Sequence, residues 1–395
     1  MKHVVLAITS LGAISMSAFS ADLDLPDPLI SNSGIEIDSS RKWEAARRPE
    51  VLELFREHVY GRKPDSTKGG WNSKSLDSGS KAVEVTEGVM DGAADLHSIK
   101  INMNNNRIEI QINVSLFIPV NQQPGSTPCF ILICNRDPEN IDPTRKIKSP
   151  FWPAEEIIRR GYATAAFWNA EVDPDEHDGF KNGVHGLLDH PDKSRGKDAW
   201  ATIAAWAWSA SLVYDAIESE GTIDPNKIGI IGHSRGGKTA LWAGAEDTRF
   251  AMVISNESGS TGAALARRMQ GETIAKIKKG FPHWFNRNYR NFNDNEESLP
   301  VDQHMLVALI APRLLYIGSA QEDTWADPEG EFLSGFHAAP VYNLYGHKGL
   351  GDASFPTADQ PVHGDRVAYH MRSGKHNLTE YDWDQYMDFA DKYWK

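Results

Sequence analysis

One stretch constrains this chain more than any other: Lys227-Ile228-Gly229-Ile230-Ile231-Gly232-His233-Ser234-Arg235-Gly236-Gly237-Lys238, followed by Thr239-Ala240-Leu241-Trp242. A short apolar run enters Gly-x-Ser-x-Gly and leaves it as a helical pattern. In a strand-to-helix turn that tight, a side chain at Gly232 or Gly236 would collide with neighbouring backbone, while Ser234 is held exposed in a strained conformation. The helix that starts there aims free N–H groups and its positive end at the serine, where an oxyanion would form. Gly-x-Ser-x-Gly alone is common by chance or as a structural turn; between a buried strand and a helix it marks Ser234 as a nucleophile.

The rest of the chain supplies the frame such an elbow needs. Ile108, Ile110, Ile112, Val114, Leu116 and Ile118 alternate strictly, which predicts a half-buried strand over 107–120 in an antiparallel starting meander. Apolar runs without alternation then recur at 129–134, 162–167, 227–232, 251–255, 313–317 and 366–371, spaced by helical patterns. That is the signature of a mostly parallel central sheet covered by helices on both faces, a three-layer sandwich, and with the elbow it predicts the α/β-hydrolase fold. A helix is expected after Pro49, on the stripe Val51, Leu52, Leu54, Phe55 and Val59, ending near Gly61. Another, over 198–218, is apolar nearly all round, so Trp200, Trp206 and Trp208 read as core rather than as a sugar platform. The long connections 172–197 and 258–299 are placed to build a site over the sheet edge.

The first twenty residues, with Lys2, a short apolar run and small residues before the polar Ala21-Asp22, read as a signal peptide cleaved near Ser20/Ala21. Residues 21–48 read as an extended segment and 49–395 as one catalytic domain, in an exported protein that does not span the membrane. The net charge of −13 disfavours sequence-independent nucleic-acid binding, which needs clustered cations. The only cysteines, Cys129 and Cys134, are five apart in one strand and so face opposite ways, as core thiols rather than a disulfide.

A serine hydroxyl needs a histidine to take its proton and a carboxylate to orient that histidine, in the chain order Ser, acid, His for this fold. His363 precedes the last strand and His370 lies inside it, which leaves His376, in the loop beyond, as the base. Two acids compete for the third role: Asp323 follows the strand 313–317, the usual place, and Glu257 follows the strand 251–255.

Taken together, these residues resemble the glucuronoyl esterase family. The elbow 232–238 is similar to its Gly-Cys-Ser-Arg-x-Gly-Lys form, and Asn256-Glu257-Ser258-Gly259, Phe281-Pro282-His283-Trp284-Phe285, Glu322-Asp323-Thr324-Trp325-Ala326-Asp327-Pro328 and Arg372-Ser373-Gly374-Lys375-His376 with Asp382-Trp383 match further blocks. The resemblance runs from about Arg47 to the C-terminus. It implies an esterase acting on (4-O-methyl-)glucuronate esters, such as lignin–glucuronoxylan links, through a glucuronoyl-serine intermediate and without a cofactor. It implies that Arg235 helps to stabilise the oxyanion, and that Lys238, Glu272 and Trp325 hold the sugar's hydroxyls and methoxyl group. Glu257 matches the acid of fungal members and Asp323 that of many bacterial ones; both are expected to support His376, with Glu257 slightly the stronger. His233 stands where the fungal elbow has a cysteine, so the disulfide that ties the elbow to the loop of the base there cannot form here.

Other readings follow from the same residues. Asp173, Asp175, His177, Asp178, His185, Asp189 and His190 crowd one loop, but their spacing fits no compact metal site. The rival functions are another carbohydrate esterase, such as an acetyl-xylan esterase, and a catalytically silent polysaccharide-binding protein.

Overall fold

The computed structural model describes residues 23–64, 78–105, 107–190 and 192–395, so the expected signal peptide lies outside the described residues. Its centre is a ten-stranded sheet of order β1-β2-β3-β5-β4-β6-β7-β8-β10-β9. The strands are β1 Ser78–Gly88, β2 Ala94–Asn104, β3 Glu109–Pro119, β4 Thr127–Cys134, β5 Ala163–Trp168, β6 Ile223–His233, β7 Met252–Asn256, β8 Leu314–Ala320, β9 Val362–His363 and β10 Val367–Arg372. From β5 to β10 every neighbouring pair is parallel, while β1, β2 and β3 form an antiparallel meander and β9 closes the far edge antiparallel to β10. This is the expected α/β-hydrolase sandwich. One core cluster lies under the helices Thr202–Glu218 and Arg235–Glu246, and the other lies under Ala154–Arg159 and Glu380–Trp394. Cys129 belongs to the first and Cys134 to the second, on opposite faces as the pleat requires.

Three sequence expectations shift. The first helical run begins at Ser40, capped by Ser39, and not after Pro49. Trp43–Arg47 widens to π geometry, so that Arg48 donates to the Trp43 carbonyl five residues back, and this spacing accommodates Pro49, which has no N–H to give. The run ends at Gly61, whose φ of 93° suits glycine. Second, β1 and β2 were not separately legible. Val83 and Val85 of the edge strand β1 are exposed, and β2 buries Leu96 on one face but Ile99, Ile101 and Met103 on the other, which breaks the alternation. Third, the helix expected over 198–218 starts at Thr202 rather than 198; Trp200, Trp206 and Trp208 are all buried, as a core reading requires.

Candidate active site

The site stands at the carboxyl ends of the parallel strands, where loops are free to converge. Ser234 directly follows β6 with φ 56° and ψ −126°, a conformation that costs energy for any L-residue. Its N–H donates to the Asn256 carbonyl at 2.9 Å, which fixes the elbow against β7. A Cβ on Gly232 would fall onto the Gly236 carbonyl, so that glycine is obligatory. Gly236 is under less pressure, its nearest contact being the Ile133 carbonyl at 3.2 Å, so the steric demand expected at both positions is concentrated at Gly232.

His376, beyond β10, meets both acids at Nδ1: Asp323 Oδ2 at 2.6 Å and Glu257 Oε2 at 3.2 Å. The distances favour Asp323 as the nearer partner, the reverse of the order expected from motif likeness. Burial works against the imidazolium, but the hydrogen bonds it donates to Asp323 and Glu257 raise its pKa to about 9. Glu257 is itself buried, with φ 46°, and burial raises its carboxyl to about 7 although His376 and Arg372 pull the other way. Its second oxygen receives the Arg372 guanidinium at 2.7 Å. These three groups, His376, Asp323 and Glu257, are also the one His and carboxylate cluster among the described residues whose ligand atoms lie close together, within 4.8 Å. Arg372 already neutralises Glu257 there, so the cluster reads as a hydrogen-bonded base rather than as a cation site.

Arg372 also donates to the Lys375 and Asn377 carbonyls at 2.8 and 2.7 Å, and its Nε reaches Asp382 at 3.0 Å. Asp382 in turn accepts from His370 and caps the helix Glu380–Trp394, which takes His370 into the core and away from the serine. The loop of the base is thus pinned by one guanidinium instead of a disulfide. His233 contributes from below: its Nδ1 pairs with Asn256 Oδ1 at 2.6 Å and its ring lies 4.3 Å from that of His376. Burial, then the charge of His376, hold His233 well below the usual imidazole pKa, so it packs as a neutral ring.

Arg235 opens the elbow helix and its side chain folds over the cleft. Nε pairs with Asp175 at 2.5 Å and Nη2 donates to the Asn135 carbonyl at 2.8 Å. Asp175 is fixed by Trp284 at 2.7 Å and His283 at 3.0 Å, and these contacts together with Arg235 hold its carboxyl below the usual range despite burial. The polar loop 172–190 therefore resolves into separate duties: Asp173 bridges His185 and Thr202, Asp175 orients Arg235, Asp178 caps backbone N–H groups, and Asp189 pairs with Arg195 and Trp200.

A cleft of about 330 Å³ joins Ser234, Arg235 and His376 to Lys238, Glu272 and Trp325. Lys238 is no solvated charge: it is buried, and its ammonium donates to the Ser258 and Ser260 carbonyls at 2.6 and 2.5 Å and to Glu272 Oε2 at 2.6 Å. With all three donors committed, it fixes Glu272. Trp325 is 52% exposed, with the Lys276 ammonium 5.1 Å above its ring. Beneath both acids lies Glu331, which accepts from Ser319 at 2.6 Å, from Gly259 N at 2.9 Å and from Ser258 at 3.3 Å. It thereby ties the β7 loop to the end of β8. Arg372 stood inside a motif block and Asp175 inside the polar loop, but a glutamate within an amphipathic helix carries no sign of such a role.

A family model described as glucuronyl esterase of fungi matches residues 153–346. Carbohydrate esterase MZ0003, from an unknown prokaryotic organism, is 37% identical over 93% of this chain and 89% of its own. The chain belongs to the glucuronoyl esterase family. It is a carboxylic ester hydrolase. The solved glucuronoyl esterase from Solibacter usitatus superposes with a TM-score of 0.85 at 34% identity, covering 94% of this chain and 98% of that one. A CE15 esterase from a marine bacterial metagenome, described as promiscuous, gives 0.81 at 35% identity over 93% and 96%. Among the described residues no helix is long and apolar enough to cross a membrane.

Proposed function

We propose that this glucuronoyl esterase family member hydrolyses esters of glucuronate and 4-O-methyl-glucuronate, such as those joining glucuronoxylan to lignin alcohols, with residues 49–395 as the catalytic domain of an exported protein. The observation that carries this reading is the meeting, in one cleft, of Ser234, Arg235 and His376 with the Lys238–Glu272 pair and the exposed face of Trp325. Ser234 Oγ attacks the ester carbonyl carbon as His376 Nε2 takes its proton. The oxyanion is met by the Arg235 guanidinium and the first N–H groups of its helix. The carbon–oxygen bond to the alcohol breaks and His376 returns the proton to the leaving oxygen. Water then adds to the glucuronoyl-serine by the same route in reverse roles, releasing the acid and restoring the serine. Asp323 and Glu257 stabilise the imidazolium formed in each step. None of these steps calls on a cofactor.

The ring stacks on Trp325, and Glu272, held by Lys238, accepts from its hydroxyls. Turnover of benzyl glucuronate ester set against acetylated xylan tests the reading. Efficient cleavage of the first, lost in Ser234→Ala, supports it; preference for acetylated xylan would move the chain to another carbohydrate esterase activity, and silence on both would leave a binding protein.

A further inference from the structure

The catalytic cleft is not the only cavity that described residues line. A second pocket, of about 590 Å³, is lined by Arg195, Lys197, Arg287 and Arg290 together with His177 and Phe180. Its lining and that of the cleft meet along residues 281–285. Asp175 pairs with Arg235 on the cleft side and with His283 behind it, and the His283 ring lies 6.4 Å from that of His177, which lines the pocket. Trp284 lines the cleft and the next residue, Phe285, lines the pocket.

The charges of this pocket are largely unspent. Arg195 is committed to Asp189 and to the Trp200 carbonyl, with its guanidinium carbon 4.1 Å from the centre of the Phe180 ring. Lys197, Arg287 and Arg290 are exposed and make no ion pair among the described residues. In a chain of net charge −13, where most other arginines are paired, three cations converging on one cavity raise its potential and attract an anion. The volume falls within the range of small-ligand sites, roughly 300–1,000 Å³. Two guanidinium forks suit a carboxylate.

We propose that this pocket is an accessory subsite for a second uronate carboxylate, borne on the same polysaccharide as the ester in the catalytic cleft. The choice of ligand rests on the glucuronate reading above. The site would retain the acidic polymer by charge while the cleft selects the ester, so it acts on polymer binding and not on the chemical step.

The test separates the two. Binding of the protein to glucuronoxylan with free acid side chains is measured at low salt, for wild type and for Lys197→Ala/Arg287→Ala/Arg290→Ala, alongside hydrolysis of benzyl glucuronate ester, which is too small to reach both cavities. The triple variant is expected to bind the polymer about ten-fold more weakly, from three exposed ionic contacts each of modest strength. Its turnover of the small ester should be unchanged. Wild type should bind carboxyl-reduced xylan no better than the variant binds glucuronoxylan. Equal binding of glucuronoxylan by variant and wild type, or equal binding of native and carboxyl-reduced xylan by wild type, overturns the proposal. Should the triple variant fold poorly, Arg287→Glu alone must still weaken polymer binding, and unchanged binding there also overturns it. Failure of wild type to cleave any glucuronate ester would refute the proposed function instead, because the binding comparison uses free acids.

Discussion

His376 has two carboxylates at Nδ1, and replacing each in turn by its amide, Asp323→Asn and Glu257→Gln, measures what each contributes. The amides keep shape and remove charge. Asp323 makes the shorter contact, 2.6 Å, and a charge-assisted hydrogen bond of that kind contributes roughly 1.5–3 kcal/mol, so turnover should fall about 10- to 100-fold. Glu257 stands at 3.2 Å, and its carboxylate is shared with Arg372, so Glu257→Gln should lose less, about 3- to 10-fold. The double variant should lose more than either, approaching His376→Ala. Glu257→Ala is the wrong probe, because it strips a buried partner from Arg372 and would destabilise the fold by several kcal/mol, about 3–5.

The pH profile provides an independent reading of the same variants. His376 must be neutral to accept the serine proton, and its pKa is raised to about 9, so kcat/KM of wild type should climb with pH until about 9. Removing Asp323 removes the larger of the two acid hydrogen bonds that raise it, so the rising limb of Asp323→Asn should move toward the ordinary imidazole range while the plateau falls. Stopped assays on benzyl glucuronate ester across pH, with folding checked by circular dichroism, measure both. If one single amide variant matched His376→Ala while the other equalled wild type, or if neither moved the limb, the shared-acid reasoning would be refuted.

Further outcomes follow from other contacts. Arg235→Ala should lower kcat about 10²- to 10³-fold with little change in KM, and Asp175→Asn should reproduce part of that loss by freeing the guanidinium; an effect on KM alone would reassign Arg235 to ground-state binding. Gly232→Ala should fail to yield folded protein by circular dichroism, whereas Gly236→Ala should fold, because a Cβ would stand 2.0 Å from backbone at the first and no nearer than 3.2 Å at the second. Burial raises the Glu331 carboxyl to about 8, so its contribution to stability is present below the ordinary carboxylate pKa and declines as pH rises toward 8. Glu331→Gln should therefore gain melting temperature relative to wild type between pH 5 and about 8, and a flat difference would contradict the burial argument.

Much of this was legible from the chain because it rests on short-range pattern. The elbow needs contiguous glycines around Ser234, buried parallel strands need unbroken apolar runs, and His376 was isolated by its place after the last strand. What escaped has a common physical character. β1 is wet on both faces and β2 changes its buried face midway, so neither keeps the period that announces a strand. The start of the first helix was masked by Pro49, whose usual meaning is reversed by the π turn before it. Asp175, Glu331 and the reach of Arg372 are partnerships across 60, 72 and 115 residues of chain, and pairing at that distance leaves no local mark.

The likeness of motifs and the geometry disagree on rank at one point, and the disagreement is instructive. Glu257 matches its block closely, which ranks it as the stronger acid, yet Asp323 lies nearer to His376. Glu257 is enclosed by Arg372, at the end of β10, and by the Asn377 N–H at 3.1 Å, in the loop of the base that Arg372 pins. Its position therefore makes it a tie between β7 and that loop before it makes it a partner of the imidazole. Asp323, whose carboxylate makes no such cross-strand tie, is free to approach Nδ1. A site whose elbow carries His233 in place of a cysteine needs some other fastening for the loop of its base, and the Glu257–Arg372 pair is that fastening. Two carboxylates then serve two needs, one holding the histidine's loop and the other its proton.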